Sequence, residues 1–154
     1  MAYAAVRIRG HVNVHPKIKK TLELLNLTRA NHCVLLPENK NVKGMLQVAK
    51  DYVTWGEVND ETITQLLEKR GKGPGDTELT EKFLQNVSSY KTFQSLAKDI
   101  ASGKVQLTEI PEVKPVFRLH PPVKGYEGIK RSFVNNGALG YRSKEINTLI
   151  NRML

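Results

Sequence analysis

The spacing of apolar positions divides the first sixty residues into alternating strands and helices. From Tyr3 to Arg9 the pattern has period two, with Val6 and Ile8 on one side and Arg7 and Arg9 on the other. That is the pattern of a strand with one buried face. His15 to Leu27 switches to helical spacing: Pro16 suits a first turn, and Ile18, Leu22 and Leu25 recur at i, i+4 and i+7. Cys33 to Leu36 is a short continuous apolar run, predicted to be a buried strand that Pro37 ends. Asn41 is placed to cap a second helix carrying Val42, Met45, Leu46 and Ala49, and Tyr52 to Val58 has the β-branched and aromatic content of a third strand. The order β-α-β-α-β with short connections predicts helices packed on one sheet.

Beyond Val58 the pattern is helical, then irregular. Asp60 is the expected cap of a third helix with Ile63, Leu66 and Leu67 inward and Gly71 as its stop. GKGPGD, residues 71–76, reads as a flexible hinge loop, and residues 77–103 read as two helical pieces, the second capped by Thr92. Residues 104–110 suit a strand or an extended arm, and Pro115 to Leu119 alternates again. From His120 to Gly140, prolines and glycines disfavour regular structure. A short last helix follows, with Ser143 as the expected cap and Ile146, Leu149, Ile150 and Met153 inward. No internal repeat is present.

Charge changes this picture because it is segregated. The 154 residues carry a net charge of +9. Residues 1–50 hold nine Lys/Arg against two Asp/Glu, residues 51–113 seven against eleven, and residues 114–154 eight against two. Two basic ends flanking an acidic middle suggest a surface that faces a polyanion. They also suggest a division into a core (1–59), an acidic helical region (60–113) and a basic C-terminal extension (114–154).

Other classes recede on composition. No apolar run approaches the roughly 20 residues of a membrane span, and Arg7 and Arg9 interrupt the stretch a signal peptide would keep apolar. Cys33 is alone and reads as a small buried hydrophobe. His11, His15, His32 and His120 lie in no metal-ligand spacing and read as surface or RNA-facing residues. The glycine-rich GKGPGD lacks the phosphate-loop pattern. These features predict no enzyme, no metal, no cofactor and no small-molecule substrate.

The basic residues give the positive reading. Lys17, Lys19 and Lys20 crowd a helix start, where the dipole already attracts anions. Arg7 and Arg9, two apart on a strand, would share one exposed face. In residues 123–142, glycines allow close backbone approach, Lys124, Lys130, Arg131 and Arg142 bind phosphate, and Tyr126, Phe133 and Tyr141 can stack on bases.

KKTLELLNLTRANHCVLLPENKNVKGMLQVAKDYVTWGEV, residues 19–58, resembles the universal large-subunit ribosomal protein family L-thirty, with its eukaryotic L-seven relatives. The matching pattern is Thr21-Leu22, Leu25 and Leu27, the short strand, Lys43-Gly44-Met45, then Val53. FRLHPPVKGYEGIKRSFVNNGALGYRSKEINTLINRML, residues 117–154, is similar to the extension of the longer archaeal and eukaryotic members. The lack of a basic N-terminal tail favours the archaeal form. The resemblance implies an α+β fold: a three-stranded antiparallel sheet with two helices on one face, related to the ferredoxin-like arrangement. A helical insertion and an extended basic C-terminal arm ending in a short helix complete it. It further implies a cytoplasmic ribosome, with large-subunit rRNA, the vicinity of 5S rRNA and neighbouring ribosomal proteins as partners. The RNA-facing positions it suggests are Lys17, Lys20, Lys43, Arg118, His120, Lys130, Arg131 and Arg142. Family members often have arginine where Lys20 and Lys43 stand, and lysine loses the bidentate phosphate geometry. The competing reading is a non-ribosomal RNA-binding protein or a protein-interaction adaptor whose acidic 60–103 helices dock a basic partner.

Overall fold

The computed structural model describes residues 2–10 and 12–154. The first fifty-seven residues form β1 (Ala2–Arg7), α1 (Pro16–Leu24), β2 (His32–Pro37), α2 (Lys40–Val48) and β3 (Val53–Glu57). β1 lies between its two partners and is antiparallel to both, with Ala4 opposite Leu35 of β2 and Ala5 opposite Trp55 of β3. This three-stranded core with α1 and α2 on one face is the expected arrangement.

The chain then adds α3 (Asp60–Arg70), α4 (Glu81–Val87), α5 (Phe93–Ser102), β4 (Val116–Arg118), β5 (Gly140–Tyr141) and α6 (Glu145–Met153). β4 pairs antiparallel with β2 and β5 pairs parallel with β3, which makes a five-stranded sheet in the order β4-β2-β1-β3-β5. The tail therefore supplies both edges of the sheet. The fold is α+β, with a wider sheet than the three strands expected.

Helices cover both faces of that sheet. Tyr3, Ala5, Val34, Val53 and Trp55 pack against Leu22, Leu25 and Leu27 of the α1 region and Val42 and Leu46 of α2. Ala2, Ala4, Val6, Cys33, Leu35 and Phe117 pack against Ile63, Leu66 and Leu67 of α3, Leu96 and Ile100 of α5, and Ile146, Ile150 and Met153 of α6. All six residues of β1 are buried, so its alternation separates two cores and not a core from solvent. Alanines at 2, 4 and 5 leave room for helices to approach on both sides. Each fully buried Leu or Phe contributes about 1.5–3 kcal/mol.

Local chemistry explains the helix limits, with small shifts from expectation. Asn39, and not Asn41, caps α2, its side chain accepting from the Val42 N–H at 2.8 Å. Asn59, and not Asp60, caps α3 in the same way at Thr62. Thr92 caps α5 as expected, and Gly103 ends it in the left-handed region at φ 86°. Lys144, and not Ser143, holds the cap position of α6, with no side-chain cap bond. Gly56 is required by packing, since a Cβ there would collide with the Ser143 carbonyl where α6 begins. Residues 104–110 hold a 3-10 turn, Leu107–Glu109, where a strand or arm was expected. The GKGPGD loop is no free hinge: Asp76 pairs with Lys114 and Arg118, and the Lys114 N–H donates to the Lys72 carbonyl at 2.9 Å.

Candidate nucleic-acid interface

Strand register sorts charge to the two ends of the sheet. β1 and β4 finish, and β2 and β3 begin, at the same end: Val6 faces Cys33, Arg7 faces Val53 and His32 faces Arg118. Arg9, Arg29, Lys50, Arg118 and His120 all lie on or next to the strand termini at that end. The tail loop lies over it as well. The Leu119 N–H donates to the Asn31 carbonyl at 3.2 Å, the Tyr126 hydroxyl bonds Asn31 Oδ1 at 2.6 Å, and Ile8 packs with Ala138 and Leu139. Lys124, Lys130 and Arg131, all exposed, ride on this loop.

The opposite end carries Glu57, the last residue of β3, with Glu38 just after β2 and Asp60 and Glu61 just after β3. Two titratable groups register the contrast. Burial pushes the His32 pKa down, and the Arg118, Arg29 and Arg7 charges push it further the same way. Tyr3 at the other end is pushed up to about 12, by burial first and then by Glu38 and Glu57. His32 thus sits in a positive local field and Tyr3 in a negative one.

Two of the anticipated phosphate ligands are inside the protein. Arg7 is only 3% exposed; its Nη1 donates to the Leu27 carbonyl at 2.7 Å, Nε to Arg9 O at 2.9 Å and Nη2 to Gly10 O at 3.3 Å. The exposed Arg7/Arg9 face is thus corrected: Arg7 lies under the chain after α1, because both faces of β1 are covered. Arg142, 8% exposed, donates through Nε to Thr54 Oγ1 and through Nη2 to Ala138 O, both at 2.7 Å, with its guanidinium 5.0 Å from the Phe133 ring. Burial lowers the pKa of both arginines. The donors named here go to internal acceptors and fix the chain around both side chains. Arg152 does similar work in the tail, donating to the Val123 and Gly125 carbonyls.

The remaining sites sort by position. Arg9 is half-buried at the positive end, and Arg118 there is exposed but 3.4 Å from Asp76. His120 is exposed. Lys17, Lys19 and Lys20 are exposed on α1, whose first turn holds no acidic residue and whose cap is the His15 ring accepting from the Lys17 N–H. Lys43 on α2 is exposed and pairs with Glu38 at 3.5 Å, away from the positive end. Of the three aromatics expected to stack, Tyr126 and Phe133 are half-buried, while Tyr141 is 45% exposed and bonds Glu57 through its hydroxyl. His11 lies outside the described residues. Arg29 and Lys50 went unnoticed in the sequence because they stand singly in turns; only the register unites them.

Comparison with known proteins places this architecture. The family described as "Ribosomal protein L30p/L7e" matches residues 3–53, from β1 to the start of β3. The chain is 46% identical over 156 residues to the large ribosomal subunit protein uL30 of Methanococcus maripaludis, covering all of both chains. The chain belongs to the uL30 family. The uL30 of Methanocella arvoryzae is 45% identical over 151 residues, 98% of this chain and 99% of the relative. That of Thermoplasma volcanium is 48% identical over 151 residues, 98% and 92% respectively. The likeness to uL30 therefore runs through the acidic helices and the basic tail as well as the N-terminal core.

Proposed function

We propose that the chain is a structural, non-catalytic component of the large subunit of a cytoplasmic ribosome, of archaeal type, that binds rRNA through the electropositive end of its sheet. Family membership supports the ribosomal role; the observation that carries the RNA reading is the convergence of Arg9, Arg29, Lys50, Arg118, His120, Lys124, Lys130 and Arg131 at one end. Phosphate neutralisation there releases counterions and supplies affinity without reading sequence. Lys17, Lys19, Lys20 and Lys43 on the α1–α2 layer form a second phosphate-facing surface. Large-subunit rRNA is the main partner, with 5S rRNA nearby. The acidic side of α3, with Glu61 and Glu68 exposed beside Asp60, faces a basic neighbouring ribosomal protein.

Binding of purified protein to large-subunit rRNA and to 5S rRNA across a salt series tests this. The expected result is tight binding whose logarithm falls linearly with the logarithm of salt concentration. Weak binding without salt dependence would overturn it.

A further inference from the structure

At the positive end, between the exit of β1 and the tail loop, lies a cleft of about 270 Å³ lined by Ile8, Arg9, Gly10, Val12, Tyr52 and Ile129. Its chemistry is unlike the lysine-rich surface around it. Val12 is 84% exposed and Ile129 46% exposed, two large apolar side chains held in water at its rim. Beside them the Arg9 guanidinium lies over the Tyr52 ring, its central carbon 4.9 Å from the ring centroid.

That platform is fixed from several sides. The Ile8 and Arg9 N–H groups both donate to the Tyr52 carbonyl, at 2.8 and 3.3 Å, and Arg9 Nη1 reaches the Asp51 carbonyl at 3.4 Å. Buried Arg7 holds the Arg9 and Gly10 carbonyls from beneath. A stacked guanidinium and ring, preset in this way, lose little freedom when something flat settles on them.

A phosphate gains nothing from Val12 and Ile129. A nucleobase uses every part of the cleft: its face stacks on the guanidinium plane, its edge meets the apolar walls, and its phosphates reach Lys50, Lys130 and Arg131 in the adjoining sequence. We propose that this cleft receives one unpaired nucleobase of RNA, stacked on the Arg9–Tyr52 platform. This rests on the RNA-binding reading above and adds a non-ionic, base-directed contact to it.

Arg9→Lys keeps the charge and removes the planar stack, and Ile129→Ser removes an exposed apolar wall without touching the core. Each variant, with thermal unfolding matched to the wild type, is titrated against large-subunit rRNA at several salt concentrations. Affinity should fall roughly five- to a hundredfold in each, the range for losing one base stack, with the salt slope unchanged. Ultraviolet crosslinking of the wild-type complex should leave a nucleotide adduct on the peptide containing Tyr52, and Arg9→Lys should lose it. Wild-type affinity in both variants, or crosslinks from the cleft to a protein and not to RNA, would overturn the cleft while salt-dependent rRNA binding still stands. Absence of salt-dependent binding by the wild type would overturn both.

Discussion

The two ends of the sheet are made from the same strands and differ in almost everything else. At the His32 end, burial and the charges of Arg118, Arg29 and Arg7, from three separate stretches of chain, push the histidine towards its neutral form. At the Tyr3 end, Glu38 and Glu57 accept from the Tyr3 and Tyr141 hydroxyls, and Tyr3 resists losing its proton. A polarity along the strands orients the molecule in the field of a polyanion as well as attracting it. The basic segments of the sequence do not coincide with the basic surface of the fold: Arg7 and Arg142 sit in those segments and are buried, and Arg152 ties down the tail loop.

The largest effect should come from the positive end itself. Lys124, Lys130 and Arg131 all changed to alanine should lower the magnitude of the log–log salt slope of rRNA binding by about 3, one per lost phosphate contact. Alanine at Lys17, Lys19 and Lys20 should also lower the slope and weaken binding about equally across RNA sequences; unchanged binding would restrict the interface to the sheet end.

Arg7→Met inverts the signature. It leaves buried carbonyls without donors and should cost about 1–3 kcal/mol in urea unfolding, while the salt slope of RNA binding stays at the wild-type value. A lower slope would return Arg7 to the interface.

The smallest effect is on pH dependence. The native state holds the His32 proton less well than the unfolded chain, whose histidine titrates near 6.5. Stability from this group is therefore complete above about pH 6.5 and is lost as pH falls towards the lowered native value. Wild-type urea midpoints should drop between pH 7.5 and 5.5, and His32→Gln should drop less. Bound phosphate would offset the three arginines, so NMR titration should find the His32 pKa higher in the RNA complex than in the free protein.

Much of the fold was legible in local pattern, and the rest was hidden for identifiable reasons. Val42, Leu46, Ile63, Leu66, Ile146 and Ile150 declared their helices by spacing alone, and each is buried. The strand β1 misled because its alternation was taken as core against solvent; α3, α5 and α6, which cover the second face, come from residues 60–153. Arg7 was misplaced by the same error. The alternation of Pro115 to Leu119 marked β4 but not its partner, and the two-residue β5 exists only through pairing with β3, so no local signal announced it. The chemistry of the tail was legible as basic and aromatic. Which arginine turns inward was not, because Thr54, the acceptor that draws Arg142 against β3, is far away in sequence, although Ala138 is only one turn of chain away.

The most direct measurement is the salt dependence of large-subunit rRNA binding for the wild type, the Lys124/Lys130/Arg131 alanine variant and Arg7→Met, side by side. A steep wild-type slope, reduced by about 3 in the first variant and unchanged in the second, is the expected result. Equal slopes in all three proteins would contradict an interface at the positive end of the sheet.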